Sequence, residues 1–120
     1  MNNLLEDQLT VLTDAHMRVI RWLERDGYRL LEEVQFPPYT VDIYIPVYHA
    51  AVEVDGPQHE ARADRVRDDV LWDTYQLPVL HVPIILKVRE VRWAVREFLL
   101  RWEDTAAQRW AETELRTPWL

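Results

Sequence analysis

The sequence predicts an α/β fold: a mixed central β-sheet of about four strands flanked by helices, in the order α-β-β-β-α-β-α. Three observations predict it. The chain opens on an amphipathic stripe of helical period, continues with segments of period two, and places a helical pattern between its last two strand-like stretches. At 120 residues with 48% apolar content, it suits one domain, 1–120, with a modest core.

Residues 3–26 read as the first helix, because Leu5, Leu9, Leu12, His16, Val19 and Leu23 trace one face. Gly27 is a natural stop. Residues 28–35 (YRLLEEVQ) suit a first strand, and Pro37-Pro38 punctuate the chain after it. TVDIYIP at 40–46 alternates, with Val41, Ile43 and Ile45 on one face and Asp42 and Tyr44 on the other. HAAVEVD at 49–55 follows after a turn of about two residues, so 40–55 reads as a β-hairpin. On its second strand Ala51, Glu53 and Asp55 share a face. Residues 62–76 read as a helix with Val66, Val70 and either Tyr75 or Trp72 inward. PVLHVP at 78–83 is a short strand. A long helix follows from Val88, carrying Val88, Val91, Val95, Phe98 and Trp102 at 3–4 spacing.

Composition narrows the function classes. The absence of cysteine excludes disulfides, thiolate zinc sites and a cysteine nucleophile. No apolar run approaches the ~18 residues of a membrane span, and MNNLLEDQLT lacks the basic and apolar regions of a signal peptide. The expectation is a cytoplasmic protein with no membrane partner. A net charge of −7 argues against a general nucleic-acid coat. Acids gathered around a divalent cation are compatible with it. Of the 14 basic residues all but Lys87 are Arg, the better bidentate phosphate ligand, though a GC-rich genome gives the same bias.

Two carboxylates, Glu53 and Asp55, stand on a segment that otherwise reads as buried. Strand parity lets Asp42, Glu53 and Asp55 project from one sheet face, within about 5 Å of their cross-strand neighbours. Carboxylates that close repel one another unless a cation sits among them. Mg²⁺ or Mn²⁺ takes such oxygen ligands, and a metal held this way activates water against a phosphodiester.

The spacing Asp-x(10)-Glu-x-Asp resembles the core of the PD-(D/E)xK nuclease superfamily, with Asp55 at the usual lysine position. In order, VQFPPYTVDIYIP, VEVDGPQH and DRVRDDVL…LPVLHV are similar to motifs of the very-short-patch-repair-like small endonucleases. The resemblance covers about residues 13–85, leaving 1–12 as an N-terminal helix extension and 88–120 as a Trp-rich helix and tail. It implies a restriction-endonuclease-like core and metal-dependent DNA hydrolysis, nicking or structure-directed. It further implies metal ligation by Asp42, Glu53 and the Val54 carbonyl, with Asp55 beside them and His59 near the scissile phosphate. Gln58 would touch the nucleic-acid backbone. The chain departs from the family pattern at His16, where a glutamate is usual, and at His81, where an arginine is usual. His16 still suits a base or a water-holding role. An inactive nuclease fold kept as a DNA- or protein-binding module is the alternative.

Other residues admit two readings. Arg62, Arg65 and Arg67 suit phosphate contacts, but equally salt bridges with the interleaved Asp64, Asp68 and Asp69. The tryptophans at 93, 102, 110 and 119 read as core more readily than as a base-stacking platform. Trp110, Trp119 and Leu120 also suit a homodimer contact, the basis of a possible small assembly protein.

Overall fold

The first helix, α1 (Leu4–Arg25), lays Ala15, Val19, Ile20 and Leu23 onto the sheet. It stops at Gly27, whose φ of 93° is the left-handed conformation that closes a helix without steric cost. The Gly27 and Tyr28 amides donate to the Glu24 and Leu23 carbonyls at 3.0 and 3.1 Å, satisfying the open end of the helix. The computed structural model describes residues 4–56, 60–85 and 87–116, and for residues 4–12 the backbone.

Four strands follow the predicted order. β1 (Leu31–Phe36), β2 (Tyr39–Ile45) and β3 (Ala50–Asp55) are antiparallel neighbours, and β4 (Val79–Pro83) runs parallel to β3. The parallel step needs a crossover, and α2 (Ala61–Tyr75) supplies it. The fold is therefore α/β with a four-stranded mixed sheet flanked by helices. The β2–β3 connection is longer than the expected turn of about two residues. It is a 3-10 turn, Pro46–Tyr48, followed by His49 in the left-handed region at φ 45°.

Each sheet face carries its own core. Ile43, Ile45, Val52 and Val54 face α1 and α3 (Val88–Trp102), where Val91, Val95, Phe98 and Leu99 are buried. Phe36, Val41, Tyr44 and Ala51 face α2, through Leu71 and Tyr75. In α2 the expected inward positions are partly displaced: Val66 and Trp72 are exposed, and Leu71 takes their place with Tyr75. The expected long terminal helix breaks. A 3-10 turn at Glu103–Thr105 redirects the chain into α4 (Ala106–Glu114), which packs against α2.

The break has a physical reason in Arg109, which is 2% exposed. Its Nη1 donates to the carbonyls of His49 (2.6 Å) and Gln76 (3.1 Å), and its Nη2 to those of Tyr48 (2.9 Å) and Trp102 (2.8 Å). Its Nε donates to Thr105 Oγ1 at 2.9 Å. All five guanidinium donors are thus occupied. A continuous helix would have carried this side chain away from three of those carbonyls.

Beside it His49 is fully buried. It accepts from Tyr44 Oη at Nδ1 (2.8 Å) and donates from Nε2 to the Tyr75 carbonyl (2.9 Å). Burial lowers its pKa to about 4, so the imidazole is neutral at pH 7.

Arg109→Met should lower stability by about 3–5 kcal/mol, because four carbonyls lose a charged donor inside the fold. In urea denaturation the midpoint falls while the slope holds. An unchanged midpoint would show that the clamp is dispensable.

Candidate active site

The β2–β3 ladder reaches only Ile43↔Val52 before the strands part. On the other side of β2, pairing with β1 skips from Glu32↔Ile43 to Val34↔Val41. The skipped residue Glu33 has φ 51°, a rare backbone for a residue other than glycine. The register resumes unchanged beyond this unpaired position, where Glu33 faces Asp42, but the alternation of β2 breaks there: Val41 and Tyr44, of opposite parity, both enter the core under α2. Asp42 is left pointing the other way, towards α1.

There Asp42 replaces the missing ladder. Its Oδ2 accepts the Val54 amide at 3.0 Å, capping β3 where β2 has diverged. His16 Nε2, from α1, lies 3.3 Å from the same oxygen. That approach is off the hydrogen-bond line, and Nε2 is buried without an aligned partner among the described residues. The Asp42 carboxylate is the chief reason the His16 imidazole is raised above its ordinary value; burial opposes this, and the Val54 main chain adds to it. Carboxylate, imidazole and the main chain of Val54 therefore meet at one point.

Glu53 and Asp55 turn to the opposite side, under α2. Glu53 is 3% exposed and paired with Arg67, which also donates to the Thr40 carbonyl at 3.0 Å. Arg67 thus ties the two diverging strands together from α2, and its guanidinium lies 5.8 Å from the centre of the Tyr39 ring. The expectation that Asp42, Glu53 and Asp55 share one face does not hold, because the alternation of β2 on which it rested breaks at Asp42, the unpaired position opposite the left-handed Glu33.

Asp55, two places past Glu53 on β3, meets His81, the β4 residue in register with Glu53. His81 Nδ1 lies 2.9 Å from Asp55 Oδ2 and 3.6 Å from Asp64 Oδ2, and Nε2 lies 2.6 Å from Asp68 Oδ2. Asp68, foremost, and Asp55 raise its pKa to about 9 against the cost of burial. At neutral pH it is an imidazolium held by three carboxylates. One ligand atom from each of Asp55, Asp64 and His81 lies within 4.8 Å of the others.

His81 stands out in the sequence only as a departure from a family pattern. The signal that locates its partners is Asp64 and Asp68 at i,i+4 on one helix face, aimed at a strand-borne histidine. Arg62 and Arg65 are exposed on α2, and Arg67 pairs with Glu53 of β3, a partner outside the interleaved acids of its own helix. Gln58 and His59 lie outside the described residues, as do Trp119 and Leu120. Trp110 packs edge-on against His49 at 5.6 Å, and Trp102 lies against Trp72 at 5.2 Å, whereas Trp93 is exposed. Compared with protein-family models, curated proteins and solved structures, the chain matches none.

The raised value of His81 sets a pH dependence. Its stabilisation is fully present below the ordinary 6.5 and is lost as pH rises through about 9. With the ring partly solvated, the loss should be about 2 kcal/mol. Urea denaturation in EDTA across this range should show the decline in wild type and a flat profile in His81→Asn. Parallel declines in both proteins would assign the effect elsewhere.

Proposed function

We propose that the chain is a metal-dependent endonuclease hydrolysing DNA phosphodiester bonds, by nicking or in response to DNA structure, on a restriction-endonuclease-like core. The observation that carries this reading is the convergence of Asp42, His16 and the Val54 main chain where β2 and β3 part. The residues fit a divalent cation: a carboxylate oxygen, a main-chain carbonyl and a buried imidazole nitrogen with no aligned partner. Asp42, the Val54 carbonyl and His16 would hold it. Such an ion supplies positive charge against the negative charge that develops during phosphodiester hydrolysis.

The chain's own residues then divide the remaining work. His16, when not ligating, accepts a proton, and the Asp42 carboxylate beside it stabilises the imidazolium so formed. Glu53 stays with Arg67 until a DNA phosphate competes for the guanidinium, which prefers bidentate anionic partners. On release its carboxylate faces the Arg67 side of the gap between β2 and β3, across from Asp42. Asp55 belongs to the His81 group and positions the end of β3. An imidazole in place of a carboxylate favours ions that accept nitrogen, so Mn²⁺ is the preferred ion over Mg²⁺.

One observation favours a second reading, that of a DNA- or protein-binding module without catalysis. Glu53 is committed to Arg67 and Asp55 to His81, so two of the acids in the motif are already neutralised by protein cations.

Supercoiled plasmid incubated with protein in Mn²⁺ should convert to open circles, more slowly in Mg²⁺ and not at all in EDTA. Glu53→Gln and Asp42→Asn should each lower the rate at least about a hundredfold, a loss typical of a removed transition-state contact. His16→Glu should shift the preference towards Mg²⁺. Calorimetry gives a readout apart from turnover: Mn²⁺ binding present in wild type and lost in Asp42→Asn. If wild type cuts neither duplex, branched nor single-stranded DNA and binds no Mn²⁺, the binding module is the better account.

A further inference from the structure

Far from the Asp42 cleft, α3 presents a second chemistry. Arg89, Arg92, Trp93 and Arg96 fall at i, i+3, i+4 and i+7, which is one face of a helix, and with Asp26 and Tyr28 they line an open cleft of about 530 Å³. The buried face of the same helix is complete without them, since Val91, Val95, Phe98 and Leu99 fill it. Trp93 is 66% exposed, although an indole is among the costlier side chains to leave in water.

Charge at this cleft runs against the rest of the chain. Asp26 pairs with Arg92, Nε donating to Oδ2 at 2.7 Å, and so neutralises one guanidinium. Arg89 and Arg96 have no ion-pair partner among the described residues. The lining therefore carries an excess of two positive charges on a chain of net charge −7. The cleft is also braced: Asp26 anchors Arg92, and the Tyr28 ring packs edge-on against Tyr48 at 6.1 Å.

We propose that this cleft binds a strand of nucleic acid, its phosphates on Arg89 and Arg96 and an unstacked base on Trp93. Two guanidiniums without an ion-pair partner among the described residues call for a polyanion, and the flat exposed indole beside them selects one that carries π-faces. The cleft has the size of a pocket for one nucleotide. From Asp26 to His16 is ten residues of α1, about 15 Å, which four or five nucleotides cover at about 3.4 Å each. The inference goes beyond the endonuclease reading, because strand binding here requires no catalysis at Asp42.

The test is fluorescence anisotropy of a labelled oligothymidylate in EDTA, so that cleavage plays no part. Wild type should bind with a salt dependence, and Asp42→Asn should bind equally well. Arg89→Gln/Arg96→Gln should weaken binding at least about tenfold and flatten the slope of log K against log salt by about 1.4, two phosphates' worth for a single strand. Trp93→Ala should weaken it about tenfold without changing that slope. These are exposed positions, and circular dichroism checks that each variant folds. Absence of wild-type binding overturns the proposal, as does equal binding by all variants. Preference for phosphatidylserine vesicles or a phosphopeptide over the oligonucleotide also overturns it. Binding that obeys these expectations in a protein that cuts nothing sinks the endonuclease reading and leaves this one standing.

Discussion

Much of this fold depends on one buried cation. Among the described residues no carboxylate pairs with Arg109; its charge is stabilised by carbonyl dipoles from the β2–β3 connection, the end of α2 and the end of α3. These segments are far apart in sequence and each would otherwise leave an acceptor buried without a donor. One planar group with five fixed donors resolves all of them at once, which an ammonium with three rotatable donors does not match. Its ring contact with Trp102, 5.2 Å from guanidinium carbon to ring centre, adds a further polarisable neighbour. The sheet's turn is thereby fixed to the helices, and with it the angle at which β3 leaves β2.

That angle makes the cleft. Where β2 and β3 remain paired, their polar backbone is consumed by the ladder; where they part, the Val54 main chain needs a substitute, and the Asp42 carboxylate provides one. The side chain that completes the strand's hydrogen bonding is also the one that meets His16. From the other side Arg67 bridges Thr40 and Glu53. The opening is thus lined by a carboxylate near an imidazole on one side and a carboxylate under a guanidinium on the other. Groups of opposite sign held a short distance apart suit exchange of partners when an anion or a cation enters.

The helices and strands were legible because their signals are periodic. The stripe of α1, the alternation of β2 and β3 and the Pro-bracketed β4 each repeat a pattern that burial enforces. Asp42 and Glu53 were legible as unusual residues in apolar surroundings. Their relative direction was not, because the alternation of β2 breaks at Asp42, opposite the left-handed Glu33, and no period marks such a break. Arg109 and His49 were missed for a related reason: a lone polar residue within a helix or a turn reads as solvent-exposed until its long-range partners are known. Val66 and Trp72 on α2 illustrate the converse, since their spacing suits burial but the helix rolls to bury Leu71.

The left-handed backbone at Glu33 has a consequence for how separate molecules behave towards one another. β1 lies at the border of the sheet, with β2 as its single partner, so its outer rim is a line of backbone groups open to a second chain. A long flat rim would invite strand addition and, at high concentration, fibrous stacking. The left-handed Glu33 interrupts that line near its middle, and Pro37-Pro38 end it with two residues that lack an amide hydrogen. Glu32, Glu33 and Gln35, all exposed, surround it with polar and charged groups. The same irregular residue that faces the break in β2 at Asp42 thus also blunts the β1 edge of the sheet against a second chain.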